Sequence, residues 1–363
     1  MMSSPPTNVA TPAGEPPRTA VERTPGQPSV NEARPIIHVG LHKTATNWFQ
    51  SFVYPLSESH RFIDRRRVRE TVLGTPAFSF DPAIARRALE LDAGYTPFAI
   101  CEEDLSGVLH DGGLASRLVA AMAAERLHAL APEGQIVIVV RAQPALAASC
   151  YQQYVREGGT TSPLRYLFPE EHRHLGNVRP IKMPRFDFSQ FDHHMLVARY
   201  DELFGRENVH VFAYEAVMKN PAALLEEFRR RFGLTLAEEP PAAKRVNSAY
   251  RRGVLPVARL ANLFTERMVA DKRVILHVPY WYTIRKALLE QVNRTPIFGQ
   301  PPSAELLFGT NAVRWMEARF AAGNRRLAER MEVDLGAFGY PVREFACPPP
   351  KPRVPRWRAW MRN

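Results

Sequence analysis

The sequence predicts a single α/β domain in which helices flank a central, mainly parallel sheet. Short apolar runs alternate with helical patterns, as expected for strands joined by crossover helices. The clearest strand, Gln135–Val140, is apolar after its first residue and does not alternate, which is typical of a strand buried on both faces. Strands are predicted to begin near Ile36, Phe98, Ile136 and Val209. The sequence does not locate a fifth strand.

The helical patterns follow the strands in order along the chain. They cover Pro82–Leu91, Leu114–Leu130, a helix opened by Pro144, Asp192–Phe204, Pro221–Phe232 and most of Leu255–Met331. Gly233 and Pro221 mark the end and the start of the best-delimited helix. The stretch Glu157–Gln190 keeps no period and predicts a long loop over the site, where acceptor recognition is common.

Composition narrows the functional classes. The chain has 363 residues, 45% of them hydrophobic, with a net charge of +11 and a pI near 9.8. It is therefore long enough for a globular core, and its charge favours anionic partners. Three widely spaced cysteines, Cys101, Cys150 and Cys347, indicate neither a zinc site nor a disulfide framework. No apolar run approaches a membrane span and no signal pattern opens the chain, so we expect a cytoplasmic protein.

The two ends of the chain differ from the domain between them. Residues 1–34 are rich in Pro, Thr, Ser and Glu and predict a disordered tail, and residues 35–345 form the domain. Residues 346–363 form a basic tail containing Trp357 and Trp360. Such a tail is either solvated or in peripheral contact with an anionic membrane.

The segment after the first strand predicts an anion-binding loop. The strand breaks at Gly40, a loop carrying Lys43, Thr44 and Thr46 follows, and helical spacing resumes at Trp48. A strand, a small-residue loop and a helix can aim several backbone N–H groups at one anion. The loop is not the phosphate loop of nucleotide hydrolases, because two residues separate Gly40 from Lys43 and no glycine directly precedes the lysine. An ordinary turn with a solvated lysine remains the alternative.

Lys43–Asn47 resembles the phosphosulfate loop of sulfotransferases that use 3'-phosphoadenosine 5'-phosphosulfate (PAPS), a pattern close to K-T-G-T-[TS]. Ala45 replaces the usual glycine and Asn47 replaces a hydroxyl residue. The alanine is tolerable only if its φ is negative. The resemblance implies that a loop from His42 to Asn47 (His42, Lys43, Thr44, Ala45, Thr46 and Asn47) binds the donor, with Lys43 stabilising the leaving phosphate.

A second part of the resemblance follows the third predicted strand, Gln135–Val140. Arg141 ends the clearest strand, and Ser149 lies eight positions later on the next helix. In the family this pair binds the 3'-phosphate of PAPS, which suits a forked guanidinium and a hydroxyl donor. Arg251 and Arg252 correspond to the family's late basic segment, which closes over the nucleotide phosphates, although the R-K-G signature of the cytosolic branch is absent.

The general base is predicted to be Glu103. The family often has a glutamate just after its second core strand in an S-x-E pattern, and Cys101-Glu102-Glu103 keeps this spacing with cysteine for serine. Neighbouring side chains on extended backbone face opposite ways, so only one of the two glutamates should reach the acceptor. His110 is the competing base, and a helix-capping role for Glu103 is the structural alternative.

The resemblance covers roughly residues 35–341 and implies a P-loop-like three-layer fold. It implies transfer of a sulfuryl group from PAPS to a hydroxyl or amine of a saccharide, glycolipid or small metabolite, without a metal, in the bacterial carbohydrate-type branch. Two alternatives stay open. A nucleotide kinase is disfavoured because Arg141 stands where an NTPase often has a metal-binding aspartate. A basic nucleic-acid-binding protein is disfavoured because no recognised module is present, so we expect no nucleic-acid partner.

Overall fold

A parallel sheet of five strands forms the centre of the domain. The structure is a computed structural model that describes residues 34–94, 97–109, 113–168, 186–241, 249–266 and 273–350. The predicted N-terminal tail up to residue 33 and the Trp-containing part of the C-terminal tail lie outside these residues. The strands are β1 (Ile36–His38), β2 (Arg61–Phe62), β3 (Phe98–Cys101), β4 (Gln135–Val140) and β5 (Val209–Ala213).

The strand order is β2-β3-β1-β4-β5, and every strand pair in this sheet is parallel. The four strands predicted from the sequence are confirmed, and the fifth is the two-residue edge strand Arg61–Phe62. The chain moves from β1 to one side of the sheet and returns to place β4 on the other side. The carboxyl ends of β1 and β4 therefore flank a topological switch point, where open α/β sheets bind ligands.

Helices cover both faces of the sheet. Alternate residues of the strands point to opposite faces. Ile37, Ile100 and Ile138 belong to one buried cluster, whereas Ile36 and Val137 belong to another. The predicted three-layer α/β fold is confirmed, because each face buries its own apolar layer.

The helices of the described residues are α1 (Thr46–Trp48), α2 (Arg65–Val68), α3 (Pro82–Ala88), α4 (Gly113–Leu130), α5 (Gln143–Arg156), α6 (Pro163–Leu167), α7 (His193–Phe204), α8 (Tyr214–Lys219), α9 (Pro221–Phe232), α10 (Val254–Ala261), α11 (Trp281–Asn293), α12 (Ala304–Phe308) and α13 (Thr310–Met331). A π-helical turn, Phe49–Val53, continues α1. Asn220 caps α9 by accepting a hydrogen bond from the N–H of Ala223, and Gly233 ends it at φ 63°.

A third apolar cluster lies around α5. Tyr151 and Tyr154 of α5 pack with residues of α10 and α13, such as Leu255 and Phe320. This cluster fixes α5, the helix that follows the carboxyl end of β4. No helix among the described residues is both long enough and apolar enough to cross a membrane.

Candidate active site

The loop after β1 passes over the carboxyl end of the sheet beside β4. The N–H of Val39 donates to the carbonyl of Val137 at 3.1 Å, and the N–H of Leu41 donates to that of Val139 at 3.0 Å. Gly40 between them has φ 101°, and a Cβ there would lie 3.1 Å from the Cα of Glu103. Glycine is therefore required at this close crossing.

Two residues of the loop adopt left-handed backbone. Lys43 has φ 64° and Ala45 has φ 66°. The expectation of a negative φ at Ala45 is wrong: the alanine adopts the conformation that a glycine would adopt more readily. Left-handed residues that alternate with right-handed ones turn successive N–H groups towards a common centre.

The two loop threonines stabilise this shape from inside. Both hydroxyls donate to the carbonyl of Leu41, Thr44 at 2.6 Å and Thr46 at 3.0 Å, and both side chains are buried. By contrast, the N–H groups of His42, Lys43, Ala45, Thr46 and Asn47 make no hydrogen bond to a backbone carbonyl of the residues that the structure describes. Buried or half-buried N–H groups are rarely left without a partner, so this run of donors is suited to an anion.

Lys43 points its ammonium across the loop towards α5. Its Nζ donates to Oε1 of Gln153 at 2.8 Å. Burial lowers the pKa of Lys43, and the nearby Arg141 lowers it further, partly opposed by Glu157. An ammonium has three protons, so the Gln153 contact leaves Lys43 with further donors for a ligand.

Arg141 is fixed against the same loop. Its Nη1 donates to the carbonyl of Lys43 at 2.9 Å, and its guanidinium lies 4.5 Å from the centre of the Tyr214 ring. Its Nε is buried and has no partner among the described residues. Arg141 and Lys43 thus bring two cationic side chains to one edge of the sheet.

Ser149 lies on α5 one turn before Gln153. Residues four apart on a helix share a face, so Ser149 is on the side of α5 that Lys43 reaches. The Ser149 side chain is half-buried, and its hydroxyl makes no hydrogen bond within the described part of the chain.

The two glutamates after β3 have different surroundings. Glu102 is fully buried, and its carboxylate accepts from Nε of Arg65 at 3.0 Å and from Nη2 of Arg69 at 3.1 Å. It also accepts from the N–H of Asp104 at 3.1 Å. The sequence alone does not predict this network between the arginines at residues 65–69 and Glu102. The only available signal was the acidic run Glu102–Asp104, which offers partners for those arginines.

Glu103 faces the loop instead. One of its oxygens accepts from Gln50 Nε2 at 2.6 Å and the other from Arg65 Nη2 at 2.9 Å, and 17% of its side chain is exposed. Burial acts to raise the pKa of Glu103, but Arg65, His42 and the Gln50 hydrogen bond outweigh it, so the net shift is downward. Glu103 is consequently a carboxylate at neutral pH. Gln50, which holds it in place, was not predicted from the sequence.

Other predicted site residues lie farther from this centre. The His42 ring nitrogen Nε2 lies 2.7 Å from the carbonyl of Gly107 and 3.6 Å from Asp104 Oδ1. Arg251 donates to the carbonyls of Asn293 and Gly299, each at 2.7 Å. The Arg252 side chain is exposed. No hydrogen bond joins Arg251 or Arg252 to the loop among the described residues, and their role stays a prediction. The competing base His110 lies outside the described residues.

Comparisons with known proteins give the following results. No family model matches the sequence, and no curated protein matches it. The crystal structure of a sulfotransferase from Alicyclobacillus acidocaldarius is similar with a TM-score of 0.48 and 16% identity, over 85% of this chain and 99% of that one. The sulfotransferase domain from the curacin biosynthetic pathway has a TM-score of 0.31 and 12% identity, over 72% of this chain and 99% of that one. Both likenesses are weak, so any inference of function has to come from the residues of the site.

Proposed function

We propose that the protein is a sulfotransferase that moves a sulfuryl group from PAPS to a hydroxyl or amine of an acceptor. The observation that carries the proposal is the run of N–H donors from His42 to Asn47, with Lys43 and Arg141 beside it. Such a cradle suits a doubly substituted phosphate better than a neutral ligand. The spacing Arg141–Ser149 and the Lys43–Asn47 motif support PAPS over other nucleotides.

The proposed chemistry is an in-line transfer. The acceptor oxygen or nitrogen forms a bond to sulfur while the bond from sulfur to the bridging phosphate oxygen breaks. Adenosine 3',5'-bisphosphate then leaves, and its charge rises on that bridging oxygen. Lys43 and the loop N–H groups stabilise this charge, which is the main contribution a protein makes to such reactions.

Glu103 takes the acceptor's proton in this proposal. Its lowered pKa keeps it ionised, and it needs to accept the proton only as the acceptor attacks. Gln50 and Arg65 hold the carboxylate beside Gly40, so the base and the anion cradle are fixed to each other. We propose no metal, because a sulfuryl group carries less charge than a terminal phosphoryl group.

The 3'-phosphate is assigned to Arg141 and Ser149. Arg141 retains a buried Nε without a partner among the described residues, and Ser149 retains an unused hydroxyl. The acceptor is proposed to be a saccharide, glycolipid or small metabolite met in the cytoplasm, as in the bacterial carbohydrate-type branch.

Titration calorimetry tests the donor assignment directly. The wild type should bind adenosine 3',5'-bisphosphate about 30- to 150-fold more tightly than adenosine 5'-monophosphate, since a charged phosphate contact is worth about 2–3 kcal/mol. Arg141→Ala should remove most of this preference, whereas Arg87→Ala, which removes an exposed arginine of α3, should not. Equal affinity of the wild type for both nucleotides would refute the assignment. Binding that requires ATP and magnesium would favour a kinase instead, and retention on nucleic acid that weakens steeply with salt would favour the non-enzymatic alternative.

A further inference from the structure

The helices α10 and α11 and the segment before α11 expose an unusual number of large apolar side chains. They are Leu260, Ile275, Leu276, Tyr280, Ile284 and Leu288, which we call the α10–α11 surface. Tyr280 is 84% exposed, Ile275 71% and Leu276 60%. Contiguous exposed apolar residues on one part of a protein mark an interaction site more often than scattered ones do.

The backbone beneath this surface is well held, so its exposure is a property of the fold. The N–H of Ile275 donates to the carbonyl of Leu263 at 2.8 Å, and the N–H of Val278 donates to that of Phe264 at 3.1 Å. On α11, Arg285 and Leu289 are buried against the domain while Ile284 and Leu288 face outwards. The helix therefore uses one side for packing and presents a second, apolar stripe to solvent.

Exposed cations accompany the apolar side chains. Arg273 precedes Ile275 and Arg294 follows the end of α11, whereas Lys286 lies two residues from Ile284 and from Leu288 and so on another side of the helix. Within residues 249–266 and 273–300, the two acidic residues are Glu266 and Glu290, and Glu290 pairs with Arg156 at 3.0 Å. Exposed arginines thus stand before and after the apolar residues in the chain, few acidic residues accompany them, and the whole chain carries +11.

We infer that the α10–α11 surface docks onto an anionic membrane. Apolar side chains next to Lys and Arg bind the boundary between acyl chains and anionic headgroups, gaining both burial and charge attraction. A second copy of the chain fits less well. In a two-fold contact the same patch meets itself, so the cations of one copy would approach those of the other. The α10–α11 surface is a different stretch of the sequence from the tail that carries Trp357 and Trp360.

Docking here would place the candidate active site near the membrane. α10 packs on α5, and Arg156 at the end of α5 pairs with Glu290 of α11. The first half of α5 carries Ser149. The membrane-docking proposal does not depend on the sulfotransferase assignment, since it concerns binding alone.

Vesicle flotation with the full chain tests the proposal. The wild type should float with vesicles of phosphatidylcholine containing about one-third phosphatidylglycerol, but not with phosphatidylcholine alone, and added salt should weaken the binding. Leu276→Asp and Leu288→Asp should each lower the partition coefficient about tenfold or more, because a leucine that docking would bury in lipid is replaced by a charge that the anionic lipid repels. Ile84→Asp is the matched control: Ile84 is 58% exposed on α3 and Leu288 is 56% exposed on α11.

Several results would overturn the proposal. One is failure of the wild type to float with anionic vesicles, and another is flotation of Leu288→Asp as strong as that of the wild type. A third is a loss of vesicle binding by Ile84→Asp as large as that by Leu288→Asp; each of these outcomes refutes the proposal. Loss of flotation only when Trp357 and Trp360 are both changed to serine would assign binding to the tail instead. A wild-type dimer that does not float and that Leu288→Asp converts to a monomer, as seen by light scattering, would show that a second copy covers the surface. Circular dichroism of each variant establishes that the fold is intact.

Discussion

Exchanging each of the two adjacent glutamates for glutamine should separate a structural role from a catalytic one. Glu102→Gln removes the charge that pairs with Arg65 and Arg69 in the interior. Glu103→Gln removes the charge that faces the loop beside Gly40. Both changes keep the size of the side chain, so differences between them report on charge and environment.

For Glu102→Gln we expect a loss of about 2 kcal/mol in the free energy of unfolding. Removing one partner of a buried ion pair typically costs about 3–5 kcal/mol. Here the side chains of Arg65 and Arg69 are 29% and 44% exposed, so water can compensate part of the loss. Turnover at a temperature where the variant is folded should stay near wild type.

For Glu103→Gln we expect little change in stability and a large change in rate. Arg65 keeps its partner Glu102, so the free energy of unfolding should fall by less than about 1 kcal/mol. Loss of a general base lowers turnover by about 10²- to 10⁴-fold, which corresponds to about 3–5 kcal/mol in activation free energy. Binding of adenosine 3',5'-bisphosphate should be unaffected.

Urea unfolding and single-turnover transfer from PAPS measure the two quantities separately. A stable but slow Glu102→Gln beside an active Glu103→Gln would show that the assignment is displaced by one residue. Full activity in both variants would refute a carboxylate base at this position.

Further expectations concern the anion loop and the pH dependence. Lys43→Ala should fold normally and lose most activity, and unchanged turnover would end the assignment of the loop. The value of kcat/KM should fall in acid, as pH drops through the pKa of Glu103, which lies below the ordinary 4.5, because the base must be ionised. It should also fall in alkali, as pH rises through the pKa of Lys43, which lies below 10.5, because the ammonium must be protonated. Lys43→Arg should shift this alkaline decrease to higher pH. Ala45→Gly should leave the free energy of unfolding unchanged or raise it by up to about 1 kcal/mol, because the loss of backbone strain at φ 66° offsets the greater flexibility of glycine in the unfolded chain. Ala121→Gly within α4 should instead lower the free energy of unfolding by about 1 kcal/mol. Denaturant titration of both variants measures the difference.

Long apolar runs made most of the sheet predictable. β4 has five apolar residues in succession, and no other local structure suits such a run between turns. β2 could not be found this way, because its two residues, Arg61 and Phe62, are only half-buried at the sheet edge. Its pairing with β3 is decided by tertiary contacts that leave no local pattern.

The position of a candidate site residue could be predicted from the sequence where it depends on the neighbouring strand. It could not be predicted where it depends on an ion-pair partner from another part of the chain. Arg141 follows a buried strand, and its position alone indicates the ligand-binding edge of the sheet. The choice of Arg65 and Arg69 as partners of Glu102 depends on how α2 packs beside β3. Three arginines in a row look like any solvated helix face until that packing is known.

The conformation of the loop after β1 depends on residues outside its short sequence motif. Two left-handed residues, Lys43 and Ala45, lie among hydrogen bonds made within the protein: Thr44 and Thr46 donate to the carbonyl of Leu41, and Arg141 donates to the carbonyl of Lys43. If the loop binds an anion as proposed, these bonds would hold its N–H groups in place beforehand, and little free energy of binding would be spent on ordering the loop. The hydroxyls of the motif therefore support the shape of the backbone, and the surrounding bonds fix the conformation at Ala45, where the family pattern has glycine.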